Sequence, residues 1–342
     1  MAYISFQPKD YFNTKLYTGT GSSNAITGIG FAPDWLWIKA RGASYSNQLV
    51  DNVRGATKML ASDNNSAEFT AADRVASLDS DGFTLGSNAN VNASSGTYVS
   101  WNWKANGQGS SNTDGTINTT YTSANTTSGF SISQYTGTGS AATIGHGLGV
   151  TPKMIIVKRT NTTGGWTIYH SSVGNTKYLY LNTTDAEATA SSIWNNTSPT
   201  SSLFTVGTDG EVNGSGSTYV AYCFAEKIGF SKFGSYTGNG NADGTFIYTG
   251  FKPAFIIIKK NATDYWFMYD NKRGDINANA KTLKANTSDA EGTSGKEIDF
   301  LSNGVKIRNS NNSINTSGST YIYMAFAEEP LVASNGIPAT AR

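Results

Sequence analysis

One phrase, Tyr-Thr-Gly-x-Gly, occurs three times in this chain and constrains the fold more than any other feature. It begins at Tyr17, Tyr135 and Tyr236, so the spacing is roughly 100 to 120 residues. A phrase that recurs at a regular interval indicates that one structural unit is used several times. The sequence therefore predicts three tandem modules of roughly 100 residues each.

Further anchors keep the same register in each copy. A proline precedes an apolar run that ends in cations, at residues 35–39, 154–159 and 255–260, which is typical of a central strand covered on both faces. A Thr-Tyr pair then opens a strand in which alternate residues are large and apolar: Val99, Trp101, Trp103; Val220, Tyr222, Phe224; Ile322, Met324, Phe326. We predict that this face is buried in the core.

Turn signals separate these short runs. Dipeptides such as Asp81-Gly82, Asp209-Gly210 and Asn303-Gly304 favour tight hairpins. The best candidate for a helix, residues 71–78, amounts to one or two turns. The sequence therefore predicts an all-β fold made of three tandem β-sandwich or jelly-roll modules.

The repeat register also predicts where the modules begin and end. A stretch rich in Gly, Ser, Asn and Thr has almost no apolar residues, so we expect it to be a flexible linker or to drape over its neighbours. The third module follows the second almost directly, which favours rigid packing of these two with the first offset. The predicted segments are an N-terminal arm (1–9), module 1 (10–104), the linker (105–128), module 2 (129–228), module 3 (229–329) and a C-terminal arm (330–342).

Charge and hydropathy exclude several classes of protein. Twenty-five Lys and Arg against 24 Asp and Glu leave a net charge of +1, without the basic excess of a nucleic-acid binder. The apolar runs are too short for membrane insertion, and the first ten residues lack the features of a signal peptide. We expect synthesis in a cytoplasm. Cys223 is the only cysteine, so no intrachain disulfide is possible.

The two histidines do not suggest catalysis. A general base must be held by an orienting group. His170 has Asp51 and Asp270 as its counterparts in the other copies, and His146 has no histidine counterpart. Both are therefore expected to be structural.

The acidic residues do not suggest catalysis either. Glycosidases need two carboxylates on opposite sides of a sugar ring. The repeated pairs Asp185/Glu187 and Asp289/Glu291 lie two residues apart, and on a strand that spacing places both on one face. The chain has neither a Cys/His cluster for zinc nor a phosphate-binding loop followed by a helix. We expect no enzyme activity, no metal and no cofactor.

Four aromatic residues are candidates for ligand binding, because sugar rings stack on Trp and Tyr. Trp166 and Trp266 occupy the same position in two copies, where core packing is favoured and a sugar platform is the alternative. Trp194 and Tyr45 lie in polar, loop-like surroundings. These four are the candidates, with Trp194 and Tyr45 the most accessible, and the sequence does not assign the ligand site itself.

Several phrases resemble a repeated β-rich module, a domain of unknown function, found in virion proteins of marine bacteriophages and cyanophages. They are GFAPDWLWIK (30–39), DNVRG (51–55), GFTLG (82–86), YVSWNWK (98–104) and GIPATAR (336–342). The module is similar to sandwiches of the concanavalin-A-like lectin and glucanase type. The resemblance assigns no catalytic residue.

The resemblance implies a virion structural protein, and a tail fibre or tail-associated receptor-binding component is the first expectation. A capsid decoration or head-fibre protein is the alternative, and a polysaccharide-degrading depolymerase is the rival from another class. The expected partners are other virion proteins, sister subunits in a homo-oligomer such as a trimer, and host surface polysaccharide. Nucleic acid and membrane insertion are not expected.

Overall fold

The computed structural model describes residues 6–275 and 277–327. The C-terminal arm, the closing phrase 336–342 and most of the N-terminal arm lie outside these residues. Below, repeats 1, 2 and 3 denote residues 10–104, 105–228 and 229–329.

Repeat 1 forms a four-stranded sheet in the order β1-β9-β3-β4 and a three-stranded sheet in the order β2-β8-β7, all antiparallel. A 3-10 helix at Pro8–Asp10 precedes it. Its elements are β1 Phe12–Thr18, β2 Asn24–Thr27, β3 Trp35–Ala40, β4 Gln48–Asp51, β5 Lys58–Met59, β6 Phe69–Thr70, β7 Val75–Asp79, β8 Gly82–Leu85, α1 Ala89–Asn92 and β9 Thr97–Trp103.

Repeat 2 has the same order at its centre and extra strands at both edges, giving β10-β11-β18-β13-β14-β15-β16, with β12-β17 as the smaller sheet. Its elements are β10 Tyr121–Asn125, β11 Phe130–Thr136, β12 Ala142–Gly145, β13 Met154–Arg159, β14 Trp166–His170, β15 Lys177–Tyr180, β16 Ala188–Thr189, α2 Ser191–Trp194, β17 Leu203–Val206, α3 Gly210–Asn213 and β18 Thr218–Phe224.

Repeat 3 forms a five-stranded sheet, β19-β26-β21-β22-β23, and a three-stranded sheet, β20-β25-β24. Its elements are β19 Ser231–Thr237, β20 Phe246–Tyr248, β21 Pro253–Lys260, β22 Trp266–Asp270, β23 Leu283–Lys284, β24 Ile298–Leu301, β25 Gly304–Ile307, α4 Asn312–Asn315 and β26 Thr320–Ala327. The helices of all three repeats are single turns. The predicted all-β sandwich class is confirmed.

The strands at the centre of each large sheet bury both faces, as their continuous apolar runs predict. One face packs on the smaller sheet of the same repeat and forms an outer core. The other face packs against the large sheets of the other repeats and forms one central core. This central core contains the predicted face of β9, β18 and β26.

The first repeat is not offset, contrary to the expectation from the longer linker. The ring of Trp35 lies 4.7 Å from Tyr222, and Phe12 lies 5.3 Å from Phe326 (centroid distances). Phe224 and Phe326 are 6.0 Å apart. The three large sheets therefore surround a shared interior, because each has an inner apolar face that only the other two can cover.

The contacts between repeats close a ring with threefold pseudosymmetry. The backbone N–H of Glu68 donates to Thr160 O, that of Glu187 to Asn261 O, and that of Glu291 to Arg41 O, each at 2.8 Å. These bonds join repeats 1–2, 2–3 and 3–1, and we call the three contact lines seams 1–2, 2–3 and 3–1. One chain thus makes all the interfaces of a cyclic trimer.

The Gly/Ser/Asn/Thr stretch 105–128 drapes over the rest of repeat 2, the second of the two behaviours considered from sequence. Its last part is β10, which pairs with β11 at the edge of the large sheet. Ile117 is buried and its N–H donates to Thr143 O of β12. Backbone pairing, together with one apolar anchor, orders a segment whose composition alone favours flexibility.

A buried asparagine in each repeat holds the Tyr-Thr-Gly-x-Gly turn. Asn213, at the end of α3, accepts from Thr138 N at 2.9 Å and donates to Ser140 O at 2.6 Å and Gly207 O at 2.7 Å. Asn92 and Asn315 make the corresponding bonds in the other repeats. The recurring phrase is therefore a turn fastened to the single-turn helix that precedes the last strand.

Replacing Asn213 with alanine should destabilise the fold by about 1–3 kcal/mol, because it leaves Thr138 N and two carbonyls without their partner. Equilibrium urea unfolding measures the loss. Ser215→Ala, an exposed change in the next turn, is the control. Equal stability of the two variants would show that the turn does not depend on the asparagine.

The strand registers give the ring two distinct ends. Phe12, Phe224 and Phe326 define one end, where the described chain enters at Phe6 against Phe230 and leaves at Ala327, whose N–H donates to Phe230 O. We call it the terminal end. The opposite loop end is defined by Thr97, Thr218 and Thr320, which begin β9, β18 and β26. It carries the Tyr-Thr-Gly-x-Gly turns. No helix in ranges 6–275 and 277–327 has the length and apolar character needed to span a membrane.

Candidate functional site

Three of the four predicted aromatic contacts are not available to a ligand. Trp166 and Trp266 are buried in the central core, and their indole N–H groups donate across seams to Ala61 O and Tyr180 O, each at 2.9 Å. Trp194 is buried beside Tyr169 in the outer core of repeat 2. Trp166 and Trp266 thus have the core packing that the sequence favoured, and the expectation that Trp194 contacts a partner is corrected to a structural role.

Tyr45 is the exception. It is half-buried, packs against the outer core of repeat 1 and lines a cavity of about 210 Å³ at the loop end. Gly42, Ser95 and Thr97 share this cavity. Tyr45 is thus the one predicted contact that faces a space large enough for a small group.

His170 has a structural place at seam 2–3. Its Nδ1 accepts from Ser172 N at 3.2 Å, which leaves Nε2 to donate to Tyr323 O at 3.2 Å. Burial lowers the pKa of this imidazole to about 4. The ring is therefore neutral near pH 7 and uses both nitrogens to hold the backbone.

The aspartates equivalent to His170 bind charged partners instead. Asp51 accepts from Arg54 Nε at 2.6 Å and from Tyr222 OH at 2.7 Å across seam 1–2. Asp270 accepts from Arg273 Nε at 2.5 Å and from Trp101 Nε1 at 3.0 Å across seam 3–1. At the equivalent positions, Val173 of repeat 2 replaces the arginine, and Met324 of repeat 3 replaces the tyrosine or tryptophan across the seam. Repeat 2 lacks both the aspartate and the arginine, because a buried carboxylate without a cationic partner would destabilise the fold.

His146 and Cys223 are also buried. His146 accepts from Leu148 N through Nδ1 and approaches Thr200 O at 3.3 Å through Nε2. Cys223 lies in the outer core of repeat 2, and burial raises the pKa of its thiol. Neither the His146 imidazole nor the Cys223 thiol is both exposed and next to a group that would activate it.

The repeated glutamates are engaged in ion pairs along the seams. Glu68 contacts Arg54 at 3.0 Å, and Glu291 contacts both Arg41 at 3.0 Å and Arg273 at 3.2 Å. Glu187 pairs with Lys177 and accepts from Asn261 Nδ2 at 2.8 Å. The carboxylate of each glutamate thus binds a cationic side chain beside the seam, and the backbone N–H of the same residue bonds across that seam.

Three lysines, one per repeat, are buried at equivalent positions. Lys39 Nζ donates to Ser288 O at 2.7 Å across seam 3–1, Lys158 Nζ to Gly164 O at 2.9 Å, and Lys259 Nζ to Ala262 O at 2.7 Å. Burial lowers the pKa of each ammonium to about 8. The repeat register placed these lysines at the ends of the apolar runs, but the sequence did not predict that their ammonium groups are buried.

These lysines predict a stability that rises with pH. Between about pH 8 and the ordinary lysine pKa of 10.5, the folded state has released protons that the unfolded state still holds, so raising the pH favours folding. Below pH 8 both states are protonated and this contribution is constant. Urea unfolding at pH 7.5, 8.5 and 9.5 measures the slope. Lys158→Met should reduce it, and an unchanged slope would contradict the assignment.

The loop end contains a backbone feature that sequence reasoning missed. The N–H groups of Arg41, Thr160 and Asn261 donate to Thr97 O, Thr218 O and Thr320 O at 2.8, 2.8 and 3.0 Å. An ordinary antiparallel pair would return a bond from the threonine N–H. The carbonyls that would accept it are instead bonded to the glutamate N–H of the neighbouring repeat. At each seam the carbonyl that faces the threonine N–H is thus bonded to the neighbouring repeat.

Only repeat 2 replaces that acceptor. Asn161 Oδ1 accepts from Thr218 N at 3.2 Å. The equivalent residues are Gly42 and Ala262, which have no polar side chain. Thr97 and Thr320 are exposed, and outside the strand ladders no hydrogen bond within residues 6–275 and 277–327 has the N–H of either threonine as its donor.

Both unfilled positions open into cavities. The first is the 210 Å³ cavity of Gly42, Tyr45 and Thr97. The second, of about 410 Å³, lies on seam 2–3 and is lined by Glu187, Lys260, Asn261, Ala262, Ser319 and Thr320. A strand residue's N–H points to the same side as its C=O, so both free donors are directed towards residues 41–42 and 261–262.

Comparison with known proteins gives a family without a function. No curated protein and no solved structure matches the chain. A family model described as a domain of unknown function (DUF7483) matches residues 7–330. This match covers all three repeats and their seams, so the chain belongs to the DUF7483 family.

Proposed function

We propose that this protein is a structural component of a bacteriophage virion, a tail fibre or tail-associated component that attaches the particle to its host. The observation that carries the proposal is that the two ends of the ring of repeats differ. The described chain enters and leaves the fold at the terminal end, whereas the cavities beside Thr97 and Thr320 lie at the loop end. A third cavity, of about 420 Å³ and lined in part by Lys9, Asp10 and Asn13, lies at the terminal end and could serve the attachment to the particle. Such a body can be held at one end and present binding groups at the other. The phage assignment itself rests on the resemblance of the sequence phrases.

The proposed role is adhesion without catalysis. The glutamates of the repeated acidic pairs, and their counterpart Glu68, are held in ion pairs along the seams. Incubation of the purified protein with host polysaccharide should therefore release no oligosaccharide. Release of new reducing ends, lost on heat denaturation, would support a depolymerase instead.

Capsid decoration, including a head-fibre role, is the second candidate, and the threefold ring favours it. A body with three similar faces can sit on a local threefold position of a lattice and make similar contacts with three neighbours. The inner faces that an ordinary trimer would use are already buried in one chain. Sister subunits and other virion proteins would therefore have to bind the outer surface or the arms.

Labelling the intact particle distinguishes these candidates. Gold-conjugated antibody against the purified protein should bind the tail in electron micrographs, and the protein should compete with phage adsorption to host cells. Labelling of the capsid alone, without competition, would favour decoration. Absence of label from disrupted and intact particles would contradict a virion role.

A further inference from the structure

We propose that the two loop-end cavities at Gly42 and Ala262 each bind the acetamido group of an N-acetylated sugar, with its carbonyl oxygen accepting from the N–H of Thr97 or Thr320. This inference names a ligand class for the loop end and so rests on the proposed attachment function.

The chain itself contains the model for this interaction. The side chain of Asn161 ends in a carboxamide. Its Cβ, carbonyl and nitrogen correspond to the methyl, carbonyl and nitrogen of an acetamido group, but the asparagine is attached through its carbon and the sugar through its nitrogen. The carboxamide oxygen satisfies Thr218 N in repeat 2 at 3.2 Å. By the repeat register, an acetamido oxygen in the other two cavities would reach the same donor. The third position is thus filled by an internal mimic of the ligand.

The unfilled positions also have room for a group of this size. A Cβ placed on Gly42 would lie 3.5 Å from Thr97 Oγ1, an ordinary van der Waals distance. Gly42 has no left-handed backbone angle, so a side chain there would not strain the chain. The cavity beside Gly42 therefore occupies the position that the Asn161 side chain fills in repeat 2.

The remaining lining groups favour a sugar over a peptide side chain. In the first cavity, the ring of Tyr45 offers a surface for the C–H face of a pyranose, and Ser95 offers a hydroxyl. In the second, Lys260, Glu187 and Ser319 offer donors and acceptors for ring hydroxyls. A polyhydroxylated ring with one acetamido group matches both sets, because it needs one backbone donor and several polar contacts.

Amide NMR on the full-length protein tests the inference directly. Titration with N-acetylglucosamine should shift the backbone amide signals of Thr97 and Thr320 and leave that of Thr218 unchanged. Glucose, which lacks the acetamido group, should bind about tenfold more weakly, the equivalent of roughly one hydrogen bond. Unchanged Thr97 and Thr320 signals would overturn the inference.

Variants taken from the chain's own repeats provide the controls. Gly42→Asn should fill the first cavity and abolish the response at Thr97 only, and Ala262→Asn should do the same at Thr320. Gly42→Ala keeps the cavity open and should retain binding. Asn161→Ala should create a third responsive amide at Thr218. Sugar binding that persists in Gly42→Asn/Ala262→Asn would contradict the assigned cavities.

Adsorption assays keep the two proposals separate. If the native protein blocks adsorption and the Gly42→Asn/Ala262→Asn variant blocks it equally, the sugar inference fails and the attachment function stands. If the sugar shifts the amides but the native protein does not block adsorption, the cavities bind as proposed and the attachment function fails.

Discussion

Replacing Trp35 with alanine is expected to destabilise the protein by about 3–5 kcal/mol, the cost of removing a large aromatic side chain from a packed core. Its ring is fully buried, lies 4.7 Å from Tyr222 and 4.5 Å from Trp103, and also contacts Phe130 and Phe224. Repeats 1 and 2 both lose contacts. Urea unfolding measures the loss, and hydrogen exchange shows where it falls.

Trp194→Ala is the matched control for Trp35→Ala. Trp194 is equally buried but lies in the outer core of repeat 2 alone. Its removal should raise amide exchange in repeat 2, whereas Trp35→Ala should raise exchange in repeats 1 and 2 together. If Trp35→Ala affects repeat 1 only, the central core does not couple the repeats.

Arg54→Val should cost about 3–5 kcal/mol, because it leaves the Asp51 carboxylate buried without its charged partner. Both side chains have 1% exposure or less, and the Nε–Oδ2 distance is 2.6 Å. Arg54 also contacts Glu68 through Nη1 at 3.0 Å, so the change disrupts seam 1–2 as well as the turn. Urea unfolding at pH 7 measures the effect.

Repeat 2 supplies the control for this prediction. It carries His170 and Val173 at the places of Asp51 and Arg54. The double variant Asp51→His/Arg54→Val removes the buried charge as well as its partner and should be more stable than Arg54→Val alone. If the double variant is no more stable, the cost of the single change does not come from the unpaired carboxylate.

The repeat register predicted much of the fold from particular residues. Alternation in Val99, Trp101 and Trp103 identified a buried face, and the continuous runs at 154–159 and 255–260 identified strands covered on both sides. Asp51 and Arg54, three residues apart in the DNVRG phrase, form an ion pair across a turn in the structure. These features follow from local geometry, since side chains alternate along a strand and turns place residues three apart together.

The candidate site was not predictable in the same way. Trp166 and Trp266 have the pattern of either a core residue or a sugar platform, and only the neighbouring repeat decides between them by covering the indole. The free N–H groups of Thr97 and Thr320 have no sequence signal of their own. They occur where the carbonyl that the strand pair would have used is bonded to a glutamate N–H of another repeat.

By itself the sequence determined the repeated unit, the all-β class and the faces that must be buried, because hydrophobic period and turn residues act over a few neighbours. The tertiary structure alone decided what covers those faces. The sequence pattern of a buried strand face is the same whether that face packs within one repeat or against another repeat. The closure of three sheets around one core depends on contacts between residues a hundred or more positions apart, and so do the two cavities at the loop end.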